Sequence, residues 1–92
     1  MFNNNVFFIK AAEVGKLSSI EYLVEHEQCD VERTDSDGDT PLHYASRWGH
    51  LDIVKYLIEE CHCNSETKNN DGWPPLECAF NSEIKEYLKS RK

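Results

Sequence analysis

The sequence is organised around one stretch, Asp37-Gly38-Asp39-Thr40-Pro41-Leu42-His43-Tyr44-Ala45, which continues as Ser46-Arg47-Trp48-Gly49-His50-Leu51. Gly38 can adopt a positive φ at little steric cost, so the Asp-Gly pair predicts a turn. Thr40 can accept a hydrogen bond from an unpaired backbone N–H, and Pro41 fits the first turn of a helix. The stretch therefore predicts a turn, a short helix that ends at Gly49, and a second apolar helix that begins at Leu51.

The same pattern recurs 34 residues away on both sides, as the step from Asp37 to Asp71 shows. Downstream, the turn and the helix start return as Asp71, Gly72, Pro75, Leu76 and Ala79. Upstream, the helix end and the next apolar helix return as Ala11, Gly15, Leu17, Ile20, Tyr22, Leu23 and Val24. A period of this length is typical of stacked helical or mixed repeats.

The central copy carries a family resemblance. It reads Thr40-Pro41-Leu42-His43-x-Ala45 and then Gly49-His50-Leu51-x-Ile53-Val54, and it resembles the ankyrin repeat, whose signature is Thr-Pro-Leu-His-x-Ala. The resemblance covers essentially the whole chain and implies an all-α ankyrin-repeat solenoid of about three helix–turn–helix repeats joined by β-hairpin-like turns. We expect a single domain over residues 1–92, with approximate repeats at 1–34, 35–68 and 69–92. The resemblance also implies that the His43 imidazole hydrogen-bonds the backbone of the neighbouring turn.

Apolar spacing and capping residues place the helices of this stack. We expect inner helices at residues 6–12 and 41–47, and an outer helix at residues 51–60. Ahead of the first outer helix, Ser18-x-x-Glu21 predicts a capping box.

The last copy departs from the pattern. Pro74 stands in place of Thr40, Glu77 stands in place of His43, and the copy is three residues shorter after Ala79. The capping hydroxyl and the imidazole are therefore both lost. We expect the two outer repeats to act as caps of the stack, since terminal repeats need a polar outer face.

The composition limits the classes of partner. The 92 residues include 17 acidic and 10 basic side chains, which gives a formal net charge of −7. This balance argues against nucleic-acid binding, which needs a surface rich in Lys and Arg, and it favours encounter with basic partners. No apolar run approaches the roughly 20 residues of a membrane span, and the amino terminus lacks the pattern of a signal peptide. We therefore expect no membrane partner and a cytoplasmic protein, the nucleus remaining open, whose cysteines are reduced thiols.

Two clusters raise the question of a bound metal. Asp35-Ser36-Asp37-Gly38 begins like a calcium loop, but Leu42 and Tyr44 stand where later oxygen ligands are needed. Cys61-His62-Cys63 offers zinc ligands, as do His26, Cys29 and Cys78 elsewhere, but the spacing does not match the usual zinc motifs. We expect a solvated turn, structural thiols and no cofactor. We also expect no enzyme, since the sequence offers no phosphate-binding glycine loop and no nucleophile–base arrangement.

The resemblance implies a function in protein binding, because ankyrin-like stacks present turn tips and inner helices on one concave surface. Transferred by position, this surface includes Glu13, Val14, Ser36, Asp37, Asp39, Arg47, Trp48, Asn70, Asp71 and Trp73. Trp and Arg are enriched among the anchor residues of interfaces. The sequence therefore favours a noncatalytic module that binds a partner protein carrying a basic segment. A structural repeat unit without a dedicated partner and a Cys/His metal or redox sensor are the alternatives.

Two further questions stay open at this level. Trp48 could fold against its own helices, and Trp73 could stack on Pro74 and Pro75, which would remove both from a binding surface. Phe2, Phe7 and Phe8 lie close to the amino-terminal edge, so we expect either a monomer or weak self-association.

Overall fold

The computed structural model describes residues 4–91 and contains six α-helices. Their bounds are α1 Asn4–Val14, α2 Leu17–His26, α3 Pro41–Arg47, α4 Leu51–Glu59, α5 Pro75–Cys78 and α6 Ser82–Lys89. Residues 4–91 contain no strand, and the all-α architecture predicted from the sequence is confirmed. None of the helices in this range is long and apolar enough to cross a membrane.

The helices form two layers. α1, α3 and α5 lie side by side in one layer, with α3 contacting both neighbours, and α4 contacts both α2 and α6 in the other. Each inner helix pairs with the outer helix that follows it, so one helix pair corresponds to one repeat. The core between the layers is built from the fully buried side chains of Phe8, Ile20, Leu42, Ile53, Leu57 and Ile84.

The start of α3 has the cap that the sequence predicts. The His43 backbone N–H donates to Thr40 Oγ1 at 3.3 Å, and the Thr40 N–H donates to His43 Nδ1 at 3.1 Å. These reciprocal bonds form a capping box in which the imidazole replaces the usual Glu or Gln. Together with Pro41 at the first helical position, they fix the start of α3.

The outer helices begin differently from the prediction. The N-cap residue of α2 is Lys16, and α2 has no side-chain capping bond within the part of the chain that the structure describes. The predicted capping box of Ser18 and Glu21 is therefore wrong. The reason is that the turn at Gly15 starts the helix at Leu17, so Ser18 already lies inside the first helical turn.

The outer helices α2 and α4 end alike. Gln28 and His62 occupy equivalent repeat positions and both adopt left-handed backbone conformations, with φ values of 52° and 58°. The following N–H groups reach back into the helices, Cys29 N to Leu23 O at 3.3 Å and Cys63 N to Leu57 O at 2.9 Å. Each bond joins residues six apart, one more than the bond of a Schellman motif, and follows a left-handed position at which glycine is the usual residue.

The third repeat has a short inner helix. α5 spans only Pro75–Cys78, and the chain then runs through Ala79 and Phe80 to Asn81, whose side chain caps α6 by accepting from Ile84 N at 3.1 Å. Ile84 and Leu88 are buried against the preceding repeat, while most of the other side chains of α6 are polar and exposed. The carboxyl-terminal face of the stack is therefore polar, as the capping prediction requires.

Candidate protein-binding surface

Two turn tips of the predicted surface lie against each other. Each tip is a hairpin-like turn, closed by Asp35 N to Asp39 O in one case and Asn69 N to Trp73 O in the other, both at 3.0 Å. Asn70 joins the tips, since its backbone N–H donates to Asp37 O at 3.0 Å and its side-chain amide donates to Ser36 O at 2.9 Å. The side chains of Ser36, Asp37, Asn70 and Asp71 are exposed along this edge.

Both tryptophans are exposed. Trp48 is 54% and Trp73 is 53% exposed, so neither ring is buried in the fold. The backbone of Trp73 is fixed on both sides, because its N–H donates to Asn69 Oδ1 at 3.0 Å and its carbonyl oxygen accepts from His43 Nε2 at 2.8 Å. This second bond confirms the expected contact of His43 with the neighbouring turn. These two bonds thus hold the main chain of Trp73 in place.

Asp39 was expected on the surface, and that expectation is wrong. Its side chain is only 6% exposed, accepts from Asn69 Nδ2 at 2.9 Å and pairs with Arg47 at 3.2 Å. Its position below the turn, directly before the Thr40 cap, turns the carboxylate towards the interior. Arg47 remains partly exposed and lies over the Tyr44 ring, with 5.5 Å from guanidinium carbon to ring centroid.

Glu13 and Val14 lie at the carboxyl end of α1. The Glu13 carboxylate pairs with Lys10 at 3.2 Å. The backbone carbonyl oxygen of Glu13 accepts from His50 Nε2 at 2.8 Å. A Cβ on Gly15 would lie only 2.6 Å from the His50 ring, so this loop packs tightly on the next repeat. Val14 itself is 51% exposed. His50 directly follows Gly49 in the motif, but the motif alone does not predict this contact with the preceding repeat.

Asn69 was also missed, and the repeat period could have revealed it. Asp35 lies one period earlier and makes the equivalent bonds. Its Oδ1 accepts from Asp37 N at 2.9 Å and from Asp39 N at 3.0 Å. In the same way, Asn69 Oδ1 accepts from Asp71 N and Trp73 N at 3.0 Å. Side-chain oxygens of Asp and Asn stabilise turns in this way.

These bonds bear on the calcium alternative. Carboxylate oxygens of Asp35, Asp37 and Asp39 lie within 4.8 Å of one another. Burial works against the charged form of Asp35, but the hydrogen bonds from the Tyr44 hydroxyl and from the two N–H groups hold the pKa of this carboxyl below its ordinary value. The Asp35 carboxylate is thus already engaged by the turn.

A second cluster of possible ligands is buried. Donor atoms of Asp39, His43 and Cys78 lie within 4.8 Å of one another. Both imidazole nitrogens of His43 are already engaged, and the Arg47 guanidinium, besides pairing with Asp39, contacts Cys78 Sγ at 3.7 Å. The arrangement is a structural network, in which an ion would displace the bonds that connect two repeats.

The Cys61-His62-Cys63 stretch does not form such a cluster. Within residues 4–91, none of these three residues belongs to a group of three possible ligands whose donor atoms lie within 4.8 Å of one another. All four cysteines lie in this range, and none forms a disulfide. Burial raises the pKa of Cys63 to about 12 and raises that of Cys78. Redox reactions of cysteine proceed through the thiolate, so a raised thiol pKa opposes a redox role.

The amino-terminal edge is more apolar than the opposite end. Phe8 is buried in the core, Phe7 is exposed, and Phe2 lies outside the described residues. Phe7 lines an open groove of about 460 Å³ together with Val14, Tyr22 and Leu23. This groove lies between α1 and α2.

The paired helices, the capped turns and the exposed tips define a helical-repeat solenoid with a surface made of turn tips and inner-helix ends. A family model described as ankyrin repeats, in three copies, matches residues 8–91. The chain therefore belongs to the ankyrin-repeat family.

Comparison with curated proteins and solved structures gives two results. No curated protein matches the chain. Among solved structures, a chain in the complex of a predatory endopeptidase from Bdellovibrio bacteriovorus with an immunity protein is 35% identical and superposes with a TM-score of 0.77. The match covers 90% of the present chain and 42% of the other, so the present chain spans less than half of that relative.

Proposed function

We propose that this chain is a noncatalytic module that binds a partner protein through the concave surface formed by the turn tips and the inner-helix ends. The observation that carries the proposal is the pair of half-exposed indoles, Trp48 and Trp73, on a rigid frame. Tryptophan is among the residues that most often supply interface binding energy. Because hydrogen bonds on both sides fix the Trp73 backbone, binding loses little conformational entropy there.

The charge of the surface supports a partner segment that is basic. Asp37 and Asp71 are exposed at adjacent tips, and the chain carries a net charge of −7. Complementary charge speeds encounter and selects among partners more than it adds affinity. The related endopeptidase–immunity protein complex supports a folded protein as the partner. The four cysteines, all within residues 4–91, form no disulfide. We therefore propose a cytoplasmic location, where thiols stay reduced.

The test compares variants of the exposed indoles with a matched control. The purified chain is cross-linked to its partner in lysate of the source cells, and the captured protein is identified and purified. Its affinity is then measured for the wild type, for Trp48→Ala with Trp73→Ala, and for Tyr22→Ala, an equally exposed aromatic residue on α2. Arg47 is left unchanged, because its removal would leave Asp39 buried without its counter-charge.

The double variant is expected to weaken binding by about a hundredfold or more, since truncating an anchor typically costs about 2 kcal/mol. Tyr22→Ala is expected to bind like the wild type. Circular dichroism and thermal melts confirm that all variants fold. Equal affinity of the double variant and the wild type would overturn the proposed surface. If nothing is captured, the structural-unit and sensor alternatives gain weight, and a zinc titration followed by thermal melting separates them.

A further inference from the structure

Three exposed apolar side chains follow the carboxyl ends of the three inner helices. Val14 ends α1, Trp48 follows α3 and Phe80 follows α5. They are 51%, 54% and 82% exposed. Val14 and Trp48 are one repeat period apart, and Phe80 lies in the corresponding loop of the shortened third repeat. We call these three side chains the apolar row. It lies at the opposite end of the inner helices from the turn tips.

Direct contacts bring the three loops together. Between the first and second repeats, Glu13 O accepts from His50 Nε2 at 2.8 Å, and these two residues lie within two positions of Val14 and Trp48. Between the second and third repeats, α3 packs directly against α5, and Phe80 lies two residues after the end of α5. The members of the apolar row therefore follow one another along the stack.

Acidic side chains accompany each step of the row. Glu13 precedes Val14 but is already paired with Lys10, while Asp52 and Glu83 lie in the first turns of α4 and α6, directly after the loops that carry Trp48 and Phe80. Asp52 and Glu83 are exposed. An apolar row with acidic groups beside it complements a segment with an apolar stripe and basic flanks.

The distance between repeats limits the shape of that segment. Packed helices lie about 8–10 Å apart. In an extended strand, successive side chains point to opposite faces. Residues two or four positions apart on one face are therefore about 7 or 13 Å apart, which does not match the distance between repeats. In an α-helix, residues seven positions apart lie about 10.5 Å apart on nearly the same face. Its diameter of about 10 Å also lets one helix cover the row and reach the acidic groups beside it.

We propose that the apolar row binds a basic amphipathic helix of a partner protein, with apolar side chains at positions i, i+7 and i+14 meeting Val14, Trp48 and Phe80. The inference rests on the proposed function and adds the chemistry of the partner. It also adds Phe80, which lies outside the surface assigned from the sequence.

Synthetic peptides test this inference on the full chain. One labelled peptide carries three leucines at heptad spacing among Lys, Arg, Gln and Ala. A second has the same composition, but its central leucine is moved by two positions to the other side of the helix. A third is proline-rich, with an apolar residue at every third position, because a polyproline helix repeats every ~9 Å. Binding is followed by fluorescence anisotropy at low and at physiological ionic strength, and peptide helicity by circular dichroism.

The first peptide is expected to bind and to become helical, and the second to bind at least about tenfold more weakly. Phe80→Ser is expected to weaken binding of the first peptide about tenfold or more, while Val6→Ser, at an exposed apolar position outside the row, leaves it unchanged. Equal binding of the first two peptides, or no effect of Phe80→Ser, overturns the inference. Tighter binding of the proline-rich peptide overturns the helical form.

Measurements on the natural partner distinguish failure of this inference from failure of the proposed function. If the natural partner loses affinity for the Trp48 and Trp73 double variant but binds Phe80→Ser like the wild type, the inference fails and the proposed function stands. If the natural partner loses affinity for Phe80→Ser and for Trp48→Ala but binds Trp73→Ala like the wild type, the inference stands and the turn-tip part of the proposed surface fails.

Discussion

His43 connects two successive repeats through a single hydrogen bond, from its Nε2 to the carbonyl oxygen of Trp73 at 2.8 Å. The opposite ring nitrogen accepts from the Thr40 backbone N–H at 3.1 Å, so the neutral tautomer with the proton on Nε2 satisfies both partners. One side chain thus caps the start of α3 and positions the turn that presents Trp73.

The first prediction concerns acid stability. Burial lowers the pKa of His43, whereas an unfolded histidine has a pKa of about 6.5. The unfolded state therefore binds the proton first, and stability is lost as the pH falls from about 6.5 towards the folded-state pKa. We expect the melting temperature to drop across this interval. His43→Gln is expected to be less stable at neutral pH and to lose less on acidification. The histidine is not responsible if both proteins show the same slope.

The second prediction concerns a buried hydroxyl. Ser46 is fully buried, and among residues 4–91 its Oγ has no hydrogen-bond partner. An unpaired buried polar group costs about 1–3 kcal/mol. We expect Ser46→Ala to raise the free energy of unfolding by about 1 kcal/mol, measured by denaturant titration.

The first repeat supplies the reciprocal control for this change. Ala12 lies one period before Ser46 and is equally buried, so Ala12→Ser is expected to destabilise the fold by a similar amount. Destabilisation by Ser46→Ala would show that the hydroxyl is paired in solution.

The third prediction concerns the left-handed residue after α4. His62 has a φ of 58°, a conformation that costs a residue with a side chain about 1–2 kcal/mol. Glycine removes that strain but has more freedom in the unfolded chain. We expect His62→Gly to raise the free energy of unfolding by up to about 1 kcal/mol. Gly49→Ala is the matched reverse change and is expected to lower the free energy of unfolding. Gly49 has a φ of 81°, and no atom lies within 4 Å of an added Cβ, so no clash adds to the backbone strain. Loss of stability in His62→Gly would mean that the imidazole makes a stabilising contact.

The fourth prediction concerns thiol reactivity. Cys63 and Cys78 are buried, and the burial that raises the pKa of Cys63 to about 12 keeps it protonated at neutral pH. We expect alkylation of the native protein to be slow at these two thiols and faster at the partly exposed Cys29 and Cys61. A mass-spectrometric time course measures each site, with the denatured chain as reference. Rapid labelling of Cys63 in the native protein would revive the redox-sensor alternative.

The motif Thr40-Pro41-Leu42-His43 predicts its part of the fold well because its signals are local. The cap, the helix start and the bounds of α3 depend on residues within one turn of each other, and the structure agrees with them. Repetition then predicts the order of the layers. The Ser18 capping box shows the limit of local signals, since the pattern is present but the preceding turn sets the helix start.

The errors at the candidate surface come from contacts that are distant in sequence. Asp39 lies in an acidic turn and looks solvated, yet it is buried by Arg47, eight positions away, and Asn69, thirty positions away. Phe80 lies in the third repeat, which is shorter than the other two. The exposure of its ring depends on the position at which the shortened helix α5 ends. Neither outcome follows from residue type or spacing.

Within residues 4–91, bonds between successive repeats end on the main-chain oxygens of Glu13, Val31, Ser36, Asp37 and Trp73. Every residue type carries this oxygen. The identity of these side chains can therefore drift over evolution while the joints between repeats persist, and a lineage could exchange one recognition target for another without having to solve the folding problem again.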